Sequence, residues 1–134
     1  MDKPPFVKPR IIAAPKVRSI YWCEFWRDAR LPEMWKTRPV LVVSYKNTLS
    51  GPISVLAIST DPQEGLSAQW AHKLSVPVEA GRDSWVVCNH IYTVSPSRLE
   101  QVRGAVPRLD EDEFHTVLGK LLTWLPKLRG DGTA

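Results

Sequence analysis

This sequence lacks the short motifs that mark many enzyme classes. Its 134 residues contain no Gly-rich phosphate loop, no Cys-x-x-Cys pair, no His-Glu-x-x-His and no Gly-x-Ser-x-Gly. These absences exclude the P-loop nucleotide hydrolases, the common zinc sites and the serine hydrolases with a nucleophile elbow. We expect no metal and no cofactor, so any function must come from side chains that lie far apart in the sequence.

Cysteines and long apolar runs are also scarce. Cys23 and Cys88 are the two cysteines, and each lies in an apolar run typical of a strand, so we expect buried free thiols rather than a disulfide or metal ligands. No apolar run approaches the roughly 18 residues that span a bilayer. The chain begins with basic, proline-rich sequence that lacks the apolar core of a secretory signal. We therefore expect a cytoplasmic protein with no membrane segment.

The length of the chain fits one domain, and its net charge favours a polyanionic partner. A chain of 134 residues fits a single core. Its net charge of +4 favours phosphate-bearing partners, although charge alone is weak evidence because many proteins without such partners are equally basic.

The chain divides into an arm, a domain and a tail. Residues 1–16 predict an extended, basic, proline-rich arm, residues 17–126 a folded domain and residues 127–134 a flexible tail. β-Branched and aromatic runs separated by turn residues predict five strands. These are Val17–Phe25, Pro39–Tyr45, Ile53–Thr60, Lys73–Val78 and Ser84–Val94. Two of the runs are continuously apolar, which favours a curled or covered sheet with both faces buried.

The last element changes to a helical period. Apolar residues recur at helical spacing from Phe114 to Leu125 and form one stripe, which we expect to pack on the sheet. Asp110 is a suitable N-cap, Glu113 would complete an acidic capping box, and Pro126 cannot extend the helix.

Arg38 stands at the start of one of the predicted strands. Arg38 directly precedes the buried run that starts at Pro39, so the strand would anchor it while its guanidinium reaches solvent and binds a phosphate. The alternative is a structural contact, with either Glu33 in a salt bridge or a C-terminal carbonyl.

The order of motifs resembles the MazF/PemK toxins. The resemblance rests on Ile20-Tyr21-Trp22, on an acidic residue five positions before Arg38-Pro39, on Val55–Thr60 with its terminal hydroxyl pair, and on Cys88–Val94. Ser97-Arg98-Leu99, Gly104 and the final helix follow in the same order. The resemblance covers about residues 17–125 and implies an SH3-like β-barrel, a curled antiparallel sheet with a C-terminal α-helix.

The resemblance also implies a toxin that is a metal-independent endoribonuclease. In such enzymes the ribose 2′-hydroxyl of single-stranded RNA attacks the adjacent phosphate, leaving a cyclic phosphate and a 5′-hydroxyl. Arg38 would supply positive charge, Ser59 or Thr60 a hydroxyl on the phosphate, and Glu33 a base or an orienting group for Arg38.

Four further residues are candidates for binding the substrate. Trp35 and Lys36 lie three and two residues before Arg38. A loop tryptophan can stack on a base, although packing of its ring against the protein is an equal alternative. Asn89 stands where the family often has aspartate, and an amide cannot take a proton. His90 can transfer protons near neutral pH, but strand alternation turns it away from Asn89 unless the strand bulges or ends there.

The partners implied are single-stranded RNA, a cognate antitoxin and a second copy of the chain in a homodimer. Two alternatives stay open. One is a non-catalytic relative that binds a protein target such as a topoisomerase, and the other is a barrel that binds RNA without cleaving it.

Overall fold

The computed structural model describes residues 2–102, 104 and 106–128, which form one sheet and one α-helix. The six strands are β1 (Ile20–Glu24), β2 (Thr37–Val42), β3 (Ile53–Ser59), β4 (Ala71–Lys73), β5 (Trp85–Val94) and β6 (Leu99–Gln101), and helix α1 is Glu111–Trp124. Short 3₁₀ helices precede β4 and β6. Residues 129–134 of the predicted tail lie outside the described part.

The sheet is antiparallel throughout, in the order β4-β5-β3-β2-β1-β6. One buried cluster draws side chains from five of these strands, so the sheet curls around it. This confirms the predicted fold of a curled antiparallel sheet with a C-terminal helix. Strand β6, which is only three residues long, was not predicted, because so short a run carries little periodicity.

Both faces of the central strands are buried, as the continuous apolar runs predicted. Val40 and Val42 of β2 join the cluster inside the curl, whereas Leu41 between them joins a second cluster on the other face. In β3, Ala57 and Ile58 divide between the same two clusters. The second cluster also contains the buried residues of α1, so the helix covers the outer face.

Helix α1 begins and ends where the sequence predicted, but its buried stripe is narrower. Asp110 caps it by accepting a hydrogen bond from the Glu113 amide at 2.8 Å. Phe114, Val117 and Leu121 are buried, while Leu122 is 63% exposed. The predicted capping box is wrong in one respect, because the Glu113 carboxylate binds β4 and the loop after it rather than returning to the cap.

Three strand predictions need correction. Strand β2, expected at Pro39–Tyr45, starts two residues earlier at Thr37 and ends three residues earlier at Val42. The strand expected at Lys73–Val78 is the shorter Ala71–Lys73, and only one further ladder bond follows, from Leu74 N to Ser84 O at 2.9 Å. Pro77 cannot donate to a ladder, so the segment leaves the sheet. Strand β1 starts three residues later than predicted, because Arg18 adopts a left-handed backbone with φ of 75°.

The two cysteines are buried free thiols in separate clusters, as predicted. Residues 2–16 form no helix or strand, but Ile11 is buried in the cluster inside the curl. No helix in the described part of the chain is long and apolar enough to cross a membrane.

Candidate active site

Arg38 is held by the residue three positions before it. Its Nε donates to the Trp35 carbonyl oxygen at 3.0 Å, and its guanidinium carbon lies 4.8 Å from the centroid of the Trp35 ring. Between Trp35 and Arg38, Lys36 has a left-handed backbone conformation with a φ of 65°. Its carbonyl oxygen accepts a hydrogen bond from Phe25 N at 3.0 Å. The two terminal amino groups of Arg38 have no hydrogen-bond partner among the described residues, so they are available to a phosphate.

The end of β3 brings Thr60 beside Arg38. Strands β2 and β3 are antiparallel, with Val40 opposite Ala57, so the start of one lies next to the end of the other. Arg38 and Thr60 line one cavity of about 280 Å³, together with Trp22 and Thr37. We call this the arginine cavity.

Ser59 is placed differently from its neighbour. Its side chain is buried, with 6% exposure, and its Oγ accepts a hydrogen bond from Asp61 N at 3.1 Å. It does not line the arginine cavity. Thus Thr60 shares a cavity with Arg38, while the Ser59 hydroxyl holds the turn that follows β3.

Glu79 and Arg82 also line the arginine cavity. They lie on the turn between β4 and β5, where Arg82 N donates to Glu79 O at 3.2 Å and Gly81 has a φ of 78°. Neither residue was predicted from the sequence, because the composition of this segment indicates only a turn. The sequence does place an acidic and a basic residue, Glu79 and Arg82, on either side of Ala80-Gly81. Such a pair beside a turn is too common to indicate a site.

Glu33 lies in a different environment from Arg38. Its Oε1 accepts from Arg30 N at 2.8 Å, within its own loop. It makes no ion pair with Arg38 among the described contacts, so the predicted salt-bridge alternative is not seen. Arg38 does contact a carbonyl, but it is that of Trp35 in the preceding loop and not the C-terminal carbonyl of the alternative.

Glu33 instead shares a second cavity with Asn89 and His90. This histidine cavity has a volume of about 310 Å³, and Tyr92 and Trp124 complete its walls. The Tyr92 hydroxyl accepts from Met34 N at 2.9 Å, which ties the Glu33 loop to β5.

A bulge in β5 explains why Asn89 and His90 line the same cavity. Leu56 of β3 pairs with Ile91, but the next residue, Ala57, pairs with Val87, so three residues of β5 stand opposite one step of β3. Simple alternation would send neighbours to opposite faces, and the bulge removes that restriction.

Burial favours the neutral form of the His90 imidazole. Burial lowers its pKa below the ordinary value, and its Nδ1 is buried without a hydrogen-bond partner among the described residues. A neutral ring with one free nitrogen can accept a proton or a hydrogen bond.

The loop tryptophans mostly pack against protein. Trp26 lies in an aromatic group with Phe25 and Tyr92, and Trp70 meets Trp124 edge to face, with centroids 4.9 Å apart. Trp35, at 39% exposure, carries the Arg38 guanidinium on its ring and lines a separate cavity with Lys36.

Net positive charge remains around Arg38. The ion pairs among the described residues are Arg10 with Glu100, His72 with Glu113 and Lys73 with Asp83. Arg38, Lys36 and Arg82 take no part in them. No group of three or more potential metal-ligating side chains occurs in the described ranges.

Comparison with known proteins defines the class. The solved structure of MazF from Deinococcus radiodurans has a TM-score of 0.62 at 21% identity, covering 82% of this chain and 94% of that one. Mycobacterium tuberculosis MazF-mt6 has a TM-score of 0.57 at 18% identity, covering 80% and 95%. An endoribonuclease in complex with its cognate antitoxin, from a mycobacterial species, has a TM-score of 0.58 at 17% identity, covering 86% and 100%. The fold is therefore that of the MazF structures.

Sequence comparison gives the family. Residues 16–125 match the PemK-like, MazF-like toxins of type II toxin-antitoxin systems. The chain belongs to this toxin family, as the motif order suggested. Curated protein sequences give no significant match.

Proposed function

We propose that this chain is an endoribonuclease toxin that cleaves single-stranded RNA, including mRNA in the cytoplasm, without a metal. The observation that carries the proposal is the Arg38 guanidinium, fixed on Trp35 and lining one cavity with Thr60. Family membership and the structural likeness to MazF support it.

Arg38 is the residue that stabilises the transition state. The 2′-oxygen loses its proton and forms a bond to phosphorus, which gives a phosphorane with extra negative charge. The bond from phosphorus to the 5′-oxygen then breaks, and the 5′-oxygen takes a proton from water. A guanidinium already oriented by Trp35 binds that charge without reorganising. Thr60 donates a hydrogen bond to the same phosphate from the β3 side.

The second cavity supplies substrate contacts. Glu33, Asn89 and His90 line it together, and the Glu33 carboxylate and the His90 ring can accept hydrogen bonds from the flanking RNA there. The base for the 2′-hydroxyl must lie within hydrogen-bond reach of the phosphate at Arg38, and the carboxylate that lines that cavity is Glu79. Asn89 binds through hydrogen bonds only. Trp35 and Lys36 extend the contact surface toward bases and phosphates of the flanking RNA. Ser59 supports the turn beside Thr60.

A homodimer and an antitoxin complete the proposal. Apolar side chains at the C-terminal end of α1, among them Leu122, Leu125 and Leu128, are exposed and suit burial against a second copy. An antitoxin with an acidic or apolar segment would block the basic cavity, and one structural neighbour is described as bound to its cognate antitoxin.

The test is cleavage of a long unstructured RNA in EDTA by the wild-type protein and by Arg38→Ala. We expect metal-independent cutting that leaves 5′-hydroxyl ends and falls by about 10²–10³-fold in the variant, the usual cost of removing one oxyanion donor. Lys46→Asn is the matched control. It removes one positive charge beyond the opposite end of β2, and asparagine tolerates the left-handed φ of 61° found there.

The outcomes separate the alternatives. If Arg38→Ala cleaves RNA like the wild-type protein, this assignment is wrong. RNA that stays intact but binds would indicate a non-cleaving RNA-binding barrel. If RNA neither binds nor breaks, the remaining alternative is a relative that binds a protein target, which the replacement of an ionisable residue by Asn89 favours.

A further inference from the structure

The arginine cavity contains a second cationic side chain, Arg82, that has no role in the proposed cleavage step. Arg82 lies on the turn between β4 and β5, and it lines the same cavity as Arg38. Strand β3, with Ile58 and Thr60 in the lining, separates the two arginines.

The turn that carries Arg82 is firmly held. Arg82 N donates to Glu79 O at 3.2 Å, and Arg82 O accepts from the buried Ser84 hydroxyl at 3.4 Å. Ser84 O in turn accepts from Leu74 N at 2.9 Å, which continues the ladder between β4 and β5. The backbone position of Arg82 is therefore fixed by the sheet, and its side chain projects from a rigid base.

No carboxylate neutralises Arg82 among the described residues. Its neighbour Asp83 pairs with Lys73, at 3.3 Å between Nζ and Oδ2. Glu79 lines the same cavity, but no ion pair within 4.0 Å joins it to Arg82 or Arg38. The cavity thus holds two guanidinium groups and one carboxylate, a formal charge of +1.

The two arginines reach one cavity from different parts of the sheet. Arg38 lies in β2 and Arg82 lies three residues before β5, and β3 runs between these two strands. A single phosphate held by Arg38 leaves the second guanidinium without an anionic partner. Trp22 and Val78 add apolar surface to the same cavity for a ribose or a base.

We propose that Arg82 binds the phosphate next to the scissile one, so that the arginine cavity holds two consecutive phosphates of single-stranded RNA. This inference rests on the proposed function, because it assigns the scissile phosphate to Arg38. Arg82 is then a substrate-binding residue that selects substrates with a neighbouring phosphate.

The decisive comparison uses substrates of different length. A dinucleotide with one phosphodiester offers nothing to Arg82, whereas a trinucleotide with two offers its second phosphate. Arg82→Ala should raise KM for the trinucleotide about tenfold, the value of one charge-assisted hydrogen bond, and leave the dinucleotide unchanged. Arg82→Lys, which keeps the charge, should recover most of the loss, and Lys46→Asn should change neither substrate.

A binding measurement keeps this inference separate from the proposed function. An oligonucleotide with 2′-deoxy substitution cannot be cut, and its affinity can be followed by fluorescence anisotropy at several salt concentrations. Arg82→Ala should reduce the slope of log affinity against log salt by about 0.7, the contribution of one phosphate contact on a single strand. Circular dichroism should show that the variant is folded.

Three results decide the matter. Equal losses on the dinucleotide and the trinucleotide would overturn the two-phosphate site, because Arg82 would then act on the scissile phosphate or on folding. An unchanged salt slope would also overturn it. If the wild-type protein cleaves nothing, the proposed nuclease function fails, while the anisotropy measurement still decides whether Arg82 binds a phosphate.

Discussion

Replacing Glu113 with glutamine should loosen the contact between helix α1 and the edge of the sheet. The Glu113 carboxylate receives three hydrogen bonds: from His72 Nε2 at 2.8 Å, from Ser75 N at 2.9 Å and from Ser75 Oγ at 2.8 Å. These bonds join the first turn of α1 to β4 and to the loop that follows it.

The magnitude follows from the burial of this group. The side chains of His72 and Glu113 are only 18% and 14% exposed, so solvent replaces the lost bonds poorly. An amide can still accept at one oxygen, but its NH₂ group meets a donor at the other position. We expect a loss of about 2 kcal/mol in the free energy of unfolding, equivalent to a fall of about 8 °C in the Tm of a domain this size.

Thermal and urea unfolding followed by circular dichroism measure this loss. Glu111→Gln is the matched control, because Glu111 lies in the same first turn and has no described side-chain hydrogen bond. It should cost no more than the few tenths of a kcal/mol that a charge at a helix N-terminus contributes. Equal losses in the two variants would show that the helix dipole, and not the bonds to β4, accounts for the effect.

The pH dependence of the same pair is a second readout. Burial raises the pKa of Glu113, but the hydrogen bonds from His72 and Ser75 outweigh it, so the net pKa lies below its ordinary value of 4.5. A carboxylate with a lowered pKa contributes its stability above the unfolded value, and loses it as pH falls through the folded one. The difference between wild type and Glu113→Gln should therefore be about 2 kcal/mol at pH 8 to 9, where imidazole side chains are neutral, and should shrink as pH falls below 4.5. A difference that grows as pH falls below 4.5 would contradict the assignment.

The remaining predictions concern the loop after β1 and the thiols. Tyr92→Phe removes the acceptor of the hydrogen bond from Met34 N. It should lower the free energy of unfolding in urea by about 1 kcal/mol and speed proteolysis within residues 25–36. Unchanged proteolysis would mean that other contacts hold the loop. Burial raises the pKa of Cys23 to about 12 and that of Cys88 to about 11. Neither thiol should therefore react with an aromatic disulfide reagent at pH 8 until urea unfolds the protein. Rapid labelling of the folded chain would disprove this.

The short-range features of the fold could be predicted because they depend on neighbours in sequence. The cap at Asp110 and the buried stripe of α1 follow from helical spacing, and the two-faced burial of β2 follows from an uninterrupted apolar run. The position of Arg38 at the start of a strand was visible for the same reason.

The arrangement of the candidate site could not be predicted in this way. Glu33 lies five residues from Arg38 in sequence, yet its loop carries it to the histidine cavity. Arg82 lies 44 residues beyond Arg38, yet it lines the same cavity. Sequence distance is therefore a poor guide to which charged groups meet.

What the sequence alone determined is the family, the curled sheet, the final helix and the position of Arg38 near the start of a strand, because periodicity acts over a few residues and the order of motifs along the chain marks the family. Only the tertiary structure decided that Trp35 holds Arg38, that Asn89 and His90 share a cavity and that Arg82 lines the same cavity as Arg38. The physical reason is that a three-residue shift in the pairing of β5 with β3, and the curl of the whole sheet, set which loops meet. Both depend on contacts between segments that are distant in the chain.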